Sequence, residues 1–469
     1  MVKVYPIVLA IVLCCSACVP SDPDSGDYDN LPFTIYLDNT DVKSVDISKD
    51  GFVYVTGNTA NPSLGGGSGG VYEENFTGNG SVFIRKFAPD GSTCRGTYLS
   101  LGNSESIACD SEGNVIVGGA TNNVNWPTKN AYQDTYHPGS AGNCFMTKLG
   151  PDLKKMFYST FIGGGSQHAD DSTNGWSVKT IRVDSDDNAI FLAAGQDMDM
   201  PLGKDGLAIL GNPLLVGYNI WPMEYTYGYN MYPPVWSRVV VGMMSADGDY
   251  TGLNLGGYEP DTSSGALAVD DNGVYIGARC KAGGPLLWAT VYGSYRTTTH
   301  QTGQAWFDGA VAKISSNLRS PIYSTYLGGT HQNDMMSAVV DSGCLIVAGK
   351  TRAGDYPTKN PIQGHNNGDY DMVITKFNGT GTALEFSTYL GTSGYDEPKE
   401  IRQDEAKRLW IVGKMNSRAT LVRISSDLQR VEEWRDLGNG EVTGLAIGDG
   451  CIVYTIRDNN VSRVTKELM

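Results

Sequence analysis

One short string, Tyr323-Ser324-Thr325-Tyr326-Leu327-Gly328-Gly329, recurs along the chain. Tyr158-Ser159-Thr160-Phe161-Ile162-Gly163-Gly164 and Phe386-Ser387-Thr388-Tyr389-Leu390-Gly391 are further copies, and Thr97-Tyr98-Leu99 and Leu255-Gly256-Gly257 are shorter echoes. Self-similarity at intervals of tens of residues leaves few architectures open. A unit too small to bury its own apolar surface must stack on copies of itself.

Each unit reads as four β-like pieces, a to d, short, β-branched or aromatic, and bounded by turn formers. In the second unit, strand a runs into the turn Asp110-Ser111-Glu112-Gly113-Asn114 and strand b follows as Val115-Ile116-Val117-Gly118-Gly119. A variable loop leads to strand c, Phe145-Met146-Thr147-Lys148-Leu149, and a turn leads to strand d, the recurring string. The a–b hairpin returns at Asp50-Gly51, Asp110, Asp184, Asp270, Asp341, Asp404 and Asp449-Gly450, which makes seven units. The last unit stops one strand short, after Val461-Ser462-Arg463-Val464. The missing strand d lies at the other end, as Phe33-Thr34-Ile35-Tyr36-Leu37. Complementary ends of this kind close a β-propeller and remove its open edges. The expectation is an all-β, seven-bladed propeller of four-stranded blades, its last blade closed by the N-terminal strand. A linear solenoid is the alternative, but it would need capping units rather than complementary halves.

Composition agrees. The chain has 469 residues, of which 59 are Gly, as suits many tight turns. Its formal net charge of −16 argues against a nucleic-acid partner, which would want a basic footprint.

The units resemble the bacterial seven-bladed β-propeller repeat (SBBP) family, carried by the Tyr-Ser-Thr-Tyr-Leu-Gly-Gly strings and by a Phe-Pro-Thr…Gln type of loop. That loop stands here as Trp126-Pro127-Thr128…Gln133 and Tyr356-Pro357-Thr358…Gln363. The resemblance spans Phe33 to Met469 and is plainest in units two, four and five. It implies a fold and a surface or extracellular setting, and no particular activity.

The N-terminus supplies a location. Met1-Val2-Lys3 precedes an apolar run, Ile7 to Leu13, too short to span a bilayer. Cys15-Ser16-Ala17-Cys18 then resembles a lipobox, departing from it in having Cys15 where Leu is usual. The reading is a signal peptide over 1–17 and lipidation at Cys18, with an ordinary secretory signal as the alternative. Residues 18–32 form an acidic tether that resembles the export signal of surface lipoproteins in Bacteroidetes-like bacteria. Residues 33–469 form the propeller. Outer-membrane or cell-surface placement follows from the anchor.

If strands a to d run outward from the axis, the d–a and b–c loops share one face. All five His residues fall in those loops: His168 and His331 in d–a loops, His137, His300 and His365 in b–c loops. Asp41, Asp170, Asp171, Asp261, Asp334 and Asp396 lie in the d–a loops. No pair of His residues has a ligand spacing and no acidic string matches a calcium loop, so no metal is assigned and calcium is kept only as an alternative. Repeated Asp residues point to structural bonds to the neighbouring blade's backbone, because a catalytic site is needed once. Lys86, Lys148, Lys313, Lys376 and Arg423 hold one place in strand c and are read as structural, their stems packed along the blade. Cys344 and Cys451 share a strand b position and read as buried small residues. Cys94, Cys109, Cys144 and Cys280 complete the set outside the leader, and a Cys94–Cys109 pair is the disulfide that proximity suggests.

Function is expected where the repeat breaks. An insertion in unit three, about Gln196 to Ser237, carries Tyr218, Trp221, Tyr225, Tyr227, Tyr229, Tyr232 and Trp236. One in unit four, about Arg279 to Asp308, carries Trp288, Tyr292, Tyr295, Trp306 and Phe307. Aromatic loops stiffened by proline suit binding, and flat rings stack on sugars. The candidate binding residues are Trp221, Tyr225, Tyr229, Trp236, Trp288, Tyr292 and Trp306, for a glycan or a surface protein. The competing account is that these rings pack on one another to fold the insertions. Two further readings stand beside binding: an enzyme acting on polysaccharide, with Asp170, Asp171 or Asp334 near the axis, and a purely structural envelope component.

Overall fold

The computed structural model describes residues 28–64, 72–73, 75–92, 94–137, 142–163, 176–195, 238–256, 265–281, 295–296 and 307–469. They form seven four-stranded antiparallel sheets, each a blade of a β-propeller. In blades one to six the strands follow chain order. The seventh sheet takes Glu441–Gly448, Cys451–Asp458 and Val461–Leu468 from the C-terminus and Phe33–Asp38 from the N-terminus as its outermost strand. Phe33 pairs with Lys466 and Asp38 with Val461, so the ring is closed by the complementary ends that the repeats predict.

The core lies between blades rather than within them. Each of seven apolar clusters joins two neighbours. Ile346, Met372, Phe386 and Leu390 of blade five meet Ile401, Leu409 and Ile411 of blade six, for example. Val42, Val45 and Phe83 of blade one meet Ala446, Val453 and Val464 of blade seven across the closure. Strands b and c are therefore buried on both faces, as in Ala189–Gly195 and Asn143–Leu149, and read as continuous apolar runs instead of alternating ones.

At the axis, strand a carries a bulge at the same place in six blades, opening at Val42/Ser44, Ser104/Ser106, Val178/Thr180, Met335/Ser337, Pro398/Glu400 and Val442/Gly444. The extra residue re-aims the one after it toward the next blade. Ser44 Oγ accepts the Ile107 N–H at 3.3 Å, Ser106 Oγ the Ile181 N–H at 3.0 Å and Ser337 Oγ the Ile401 N–H at 3.1 Å. Glu400 Oε2 accepts the Leu445 N–H at 2.7 Å. Neighbouring inner strands are too splayed to share a ladder, and these bonds satisfy amides that would otherwise be buried unpaired.

The recurring string now has a cause at each position. Ser159 and Ser387 hydroxyls bond Thr147 and Thr375 of strand c at 2.8 and 2.9 Å. Thr160 and Thr388 Oγ1 accept the N–H groups of Gln133 and Gln363, each at 2.9 Å. Those glutamines accept the N–H of Gly163 at 3.2 Å and of Gly391 at 3.0 Å. The Trp-Pro-Thr and Tyr-Pro-Thr loops thus fold back along the outer strand, with Lys129 bridging Ser159 and Lys359 bridging Ser387. Glu73 in blade one and Arg296 in blade four bond Thr97 and Thr325 in the same way. A Cβ at Gly328 would collide with Asp308, which is why that position tolerates no side chain.

The strand c cations find carboxylates or rings. Lys148 pairs with Asp110 at 2.9 Å, Lys376 with Asp341 at 2.9 Å and Arg423 with Glu433 at 3.1 Å. Lys86 lies 3.9 Å from the Phe52 ring centroid and Lys313 4.8 Å from that of Tyr275. Lys466 is a further member of the row, hidden from the sequence by the split blade, and it donates to Pro89 O at 2.5 Å. Two cysteine expectations need correction. Cys109 holds a free thiol, so no Cys94–Cys109 bridge forms, and Cys344 is only half-buried where its counterpart Cys451 is fully buried.

Deleting Phe33–Asp38 should leave blade seven with three strands and an open ring edge. The expected outcome is loss of a single cooperative thermal transition, restored when a peptide of residues 28–39 is added in trans. An unchanged melting curve for the truncated chain would contradict closure by this strand.

Candidate functional site on the loop face of blades four to six

The d–a and b–c loops share one face, and its described part is richest over blades four to six. Here strand b ends in a cation and strand a begins in an acid. Register sets Lys350 opposite Asp334, Lys414 opposite Glu397 and Arg457 opposite Glu441. Arg457 pairs with Glu441 within its blade, and other pairs cross the blade seams. Arg279 Nη1 of blade four lies 3.3 Å from Asp334 Oδ1 of blade five. Lys350 Nζ of blade five lies 2.8 Å from Glu397 Oε2 of blade six, and Arg457 Nη1 of blade seven 2.8 Å from Asp41 Oδ2 of blade one. Of the repeated aspartates, Asp41 and Asp334 thus bond a neighbour's cation rather than its backbone as the sequence suggested, while Asp396 bonds the Asn416 amide and Thr392.

Asp334 is 3% exposed and both its oxygens are engaged, Oδ1 by Arg279 and Oδ2 by Gln332 Nε2 at 3.0 Å. Burial raises its pKa above the usual carboxylate value, while Arg279, Lys350 and Gln332 pull the other way. Burial pulls Lys350 down, but hydrogen bonds to Glu397 and to Tyr395 OH hold it above the ordinary lysine value. Tyr395 OH in turn donates to Glu397 at 2.7 Å. Burial would raise Glu397, but the Lys350 and Tyr395 contacts leave its pKa lowered. The Tyr370 and Tyr395 rings lie 5.2 Å apart, and Lys350 Nζ stands 5.6 and 5.1 Å from their centroids.

Beside this network a groove of about 370 Å³ is lined by His331, Arg352, Gly354, Asn366, Gly368 and Asp369. Arg352 Nε pairs with Asp369 Oδ1 at 2.9 Å, and its guanidinium lies 5.9 Å from the Tyr370 ring centroid. Arg352 therefore links the groove lining to the Tyr370 ring.

A second charged group sits on the axis. Arg182 of blade three reaches Glu400 of blade six at 3.4 Å, Arg402 pairs with the same carboxylate, and Asp46 Oδ2 accepts the Cys109 N–H at 2.8 Å. Burial, helped by the Arg402 charge and opposed by Glu400 and Asp46, lowers the Arg182 pKa to about 10. Side chains from opposite blades meet across the axis here and neutralise one another.

Of the residues singled out from sequence, Asp334 lies in the rim network and His331 on the groove. Asp41 and Asp396 hold structural contacts, Asp396 accepting the Asn416 N–H at 2.8 Å. His137 and His365 do not join the groove lining. Trp221, Tyr225, Tyr229, Trp236, Trp288, Tyr292, Trp306, Asp170, Asp171, Asp261, His168, His300 and Cys18 lie outside the described residues. Among the described residues no three His, Cys, Asp or Glu side chains are grouped to hold a metal ion. Arg352, Asp369, Tyr370 and Tyr395 were missed from the sequence. For Asp369 and Tyr370 the signal is the departure of this loop from its counterpart in blade two after Gln363; Arg352 and Tyr395 lie outside that stretch.

No family model matches the chain, and no curated protein matches it. Solved structures similar to it include the WD40 β-propeller domain of Doa1, at 11% identity and a TM-score of 0.49, covering 93% of this chain and 96% of that one. Hydrazine synthase of Kuenenia stuttgartiensis is another, at 12% identity and a TM-score of 0.49, covering 91% of this chain and 95% of that one.

The Lys350–Glu397 tie has a pH signature. A lowered carboxylate pKa stabilises the fold fully above the unfolded value, near 4.5, and that contribution is lost as pH falls through the folded value. Glu397→Gln should cost about 1 kcal/mol at pH 7, read as a lower melting temperature. The gap to wild type should hold down to about pH 5 and close below the ordinary glutamate range. A gap as large at pH 3 as at pH 7 would rule out the ion pair as its source.

Proposed function

We propose that the chain is a lipid-anchored extracytoplasmic binding module, held to the outer membrane or cell surface through Cys18, and that it binds a glycan on the loop face. The observation that carries this reading is the groove beside Tyr370 and Tyr395. There a guanidinium, a carboxylate, an amide and an imidazole (Arg352, Asp369, Asn366 and His331) border one cavity of about 370 Å³. Sugar hydroxyls both donate and accept, so planar side chains offering both functions fit them, and aromatic faces take the apolar side of the ring. In the sequence the aromatic insertions of units three and four fall between strands b and c, and the proposal includes Trp221, Tyr225, Tyr229, Trp236, Trp288, Tyr292 and Trp306 in the binding surface. A surface protein would use the same rings as anchors.

The polysaccharide-enzyme reading has less support. A general acid must face its substrate with a proton to give, and Asp334 is buried with both oxygens engaged inside the rim network.

A thermal-shift screen of residues 28–469 against neutral and acidic glycans tests the proposal. A ligand at about a hundred times its Kd adds ~2.7 kcal/mol to the folded state, a readable shift. One glycan class should give a saturable rise, which Arg352→Ala, Trp221→Ala or Trp288→Ala abolishes without lowering the unliganded melting temperature. Absence of any shift removes the glycan and leaves the surface protein. Polysaccharide turnover that disappears in Asp334→Asn would install the enzyme instead.

A further inference from the structure

Blades one, two, four and five cover the outer edge of strand d with their own chain. Blade six does not, and blade seven, with only Asn459 and Asn460 between strands b and c, lacks a covering loop as well. In blade two, Lys129 and Ser159 exchange both main-chain bonds, at 2.9 and 2.8 Å, and Phe161 N–H donates to Gln133 O at 3.0 Å. In blade five, Lys359 does the same to Ser387, and Tyr389 N–H donates to Gln363 O at 3.1 Å. Each covering segment is the b–c loop folded back as a fifth strand. In blade six, strand b ends at Met415 and strand c begins at Arg418, so only Asn416 and Ser417 connect them. Two residues cannot return along the blade, and among the described residues nothing pairs with the outer edge of Val431–Gly438.

The side chains on that edge point to an occupant. Trp434 pairs with Val422 where Ser159 pairs with Thr147 and Ser387 with Thr375. It therefore holds the serine position of the recurring string, with its N–H and C=O turned outward. Its indole is 45% exposed, among the largest apolar side chains left in water on the described surface. Glu432 and Asp436 flank it on the same exposed face, two residues away on either side. Arg430 and Arg418 bond them at 2.9 and 2.5 Å, and Glu433 stands alongside. An open strand edge bearing an exposed aromatic is ordinarily blunted or paired. In blades two and five the residue opposite this position is a lysine, within Pro127-Thr128-Lys129-Asn130 and Pro357-Thr358-Lys359-Asn360. A lysine opposite Trp434 would lie over the indole and between two carboxylates.

We propose that the outer edge of blade six is a docking site for an extended, lysine-bearing segment of a partner polypeptide, added as a fifth strand across Trp434. The main chain of Trp434 and Asp436 supplies the ladder bonds, and the indole with its acidic flanks selects the lysine. The protein's own blades two and five show the bound arrangement. This site lies on the outer wall, apart from the loop-face groove, and stands or falls independently of glycan binding.

The test is fluorescence anisotropy of a labelled peptide, Pro-Thr-Lys-Asn-Pro-Ile-Gln-Gly, titrated with residues 28–469. Saturable binding is expected, weakened about tenfold or more by Trp434→Ser, which restores the residue of blades two and five. Replacing the peptide lysine by glutamate should weaken it similarly, and added salt should weaken the lysine peptide alone. The Trp434→Ser variant should melt as wild type does, which separates lost binding from lost folding. No saturation at millimolar peptide, or equal binding by Trp434→Ser, overturns the proposal. A wild-type dimer in light scattering that Trp434→Ser converts to monomer also overturns it, because a second copy would then own the edge.

Discussion

The bond from one inner strand to the next is what the ring depends on. Seven short strands cannot form a continuous ladder around an axis, since blade twist carries each away from its neighbour. The bulge in strand a answers this by inserting one residue, so that Ser44, Ser106, Ser337 and Glu400 face sideways instead of into their own blade. Each then takes an amide of the next strand, and the apolar clusters behind them close the seams. Where blade seven meets blade one the place is held by Gly444, whose absent side chain lets the backbone of Val45 approach.

At the loop-face end of the same inner strands the tie is ionic. Arg279 with Asp334, Lys350 with Glu397 and Arg457 with Asp41 cross the seams there. On the outer wall the b–c loop turns back to cover strand d, held by the threonine and glycine of the recurring string. Axis, rim and wall thus carry three kinds of polar tie, over cores that are apolar throughout. The two proposed sites lie where a tie is interrupted: the loop-face groove, where the blade-five loop departs from its counterpart after Gln363, and the wall of blade six, where the covering loop is missing.

Legibility followed that division. The blade count, the split seventh blade and the structural nature of the strand c cations were readable, because each is a repeated residue type at a repeated position. The partners of those residues were not. Asp334 could be recognised as one of a set, but its bond to Arg279 joins residues 55 apart that share no local pattern. Arg296 does in blade four what Gln133 and Gln363 do in theirs, a substitution of chemistry that no motif search would pair. Tyr370 and Tyr395 lie in different blades, and only the seam brings their rings together. Trp434 stands between Glu432-Glu433 and Arg435-Asp436, and its exposure follows from a loop too short to cover it.

By itself the sequence determined the architecture. Four strands per unit, seven units and complementary ends admit one closed ring, since hydrogen-bonding edges left open would be costly and these two ends fit each other. The sequence also determined the sign of the surface and the chemistry of its recurring turns. Tertiary structure decided everything that depends on two blades at once: which acid meets which cation, which serine takes which amide, where a groove opens and which strand edge stays bare. Those outcomes rest on distances across a seam, and a seam exists only after both blades have folded and packed.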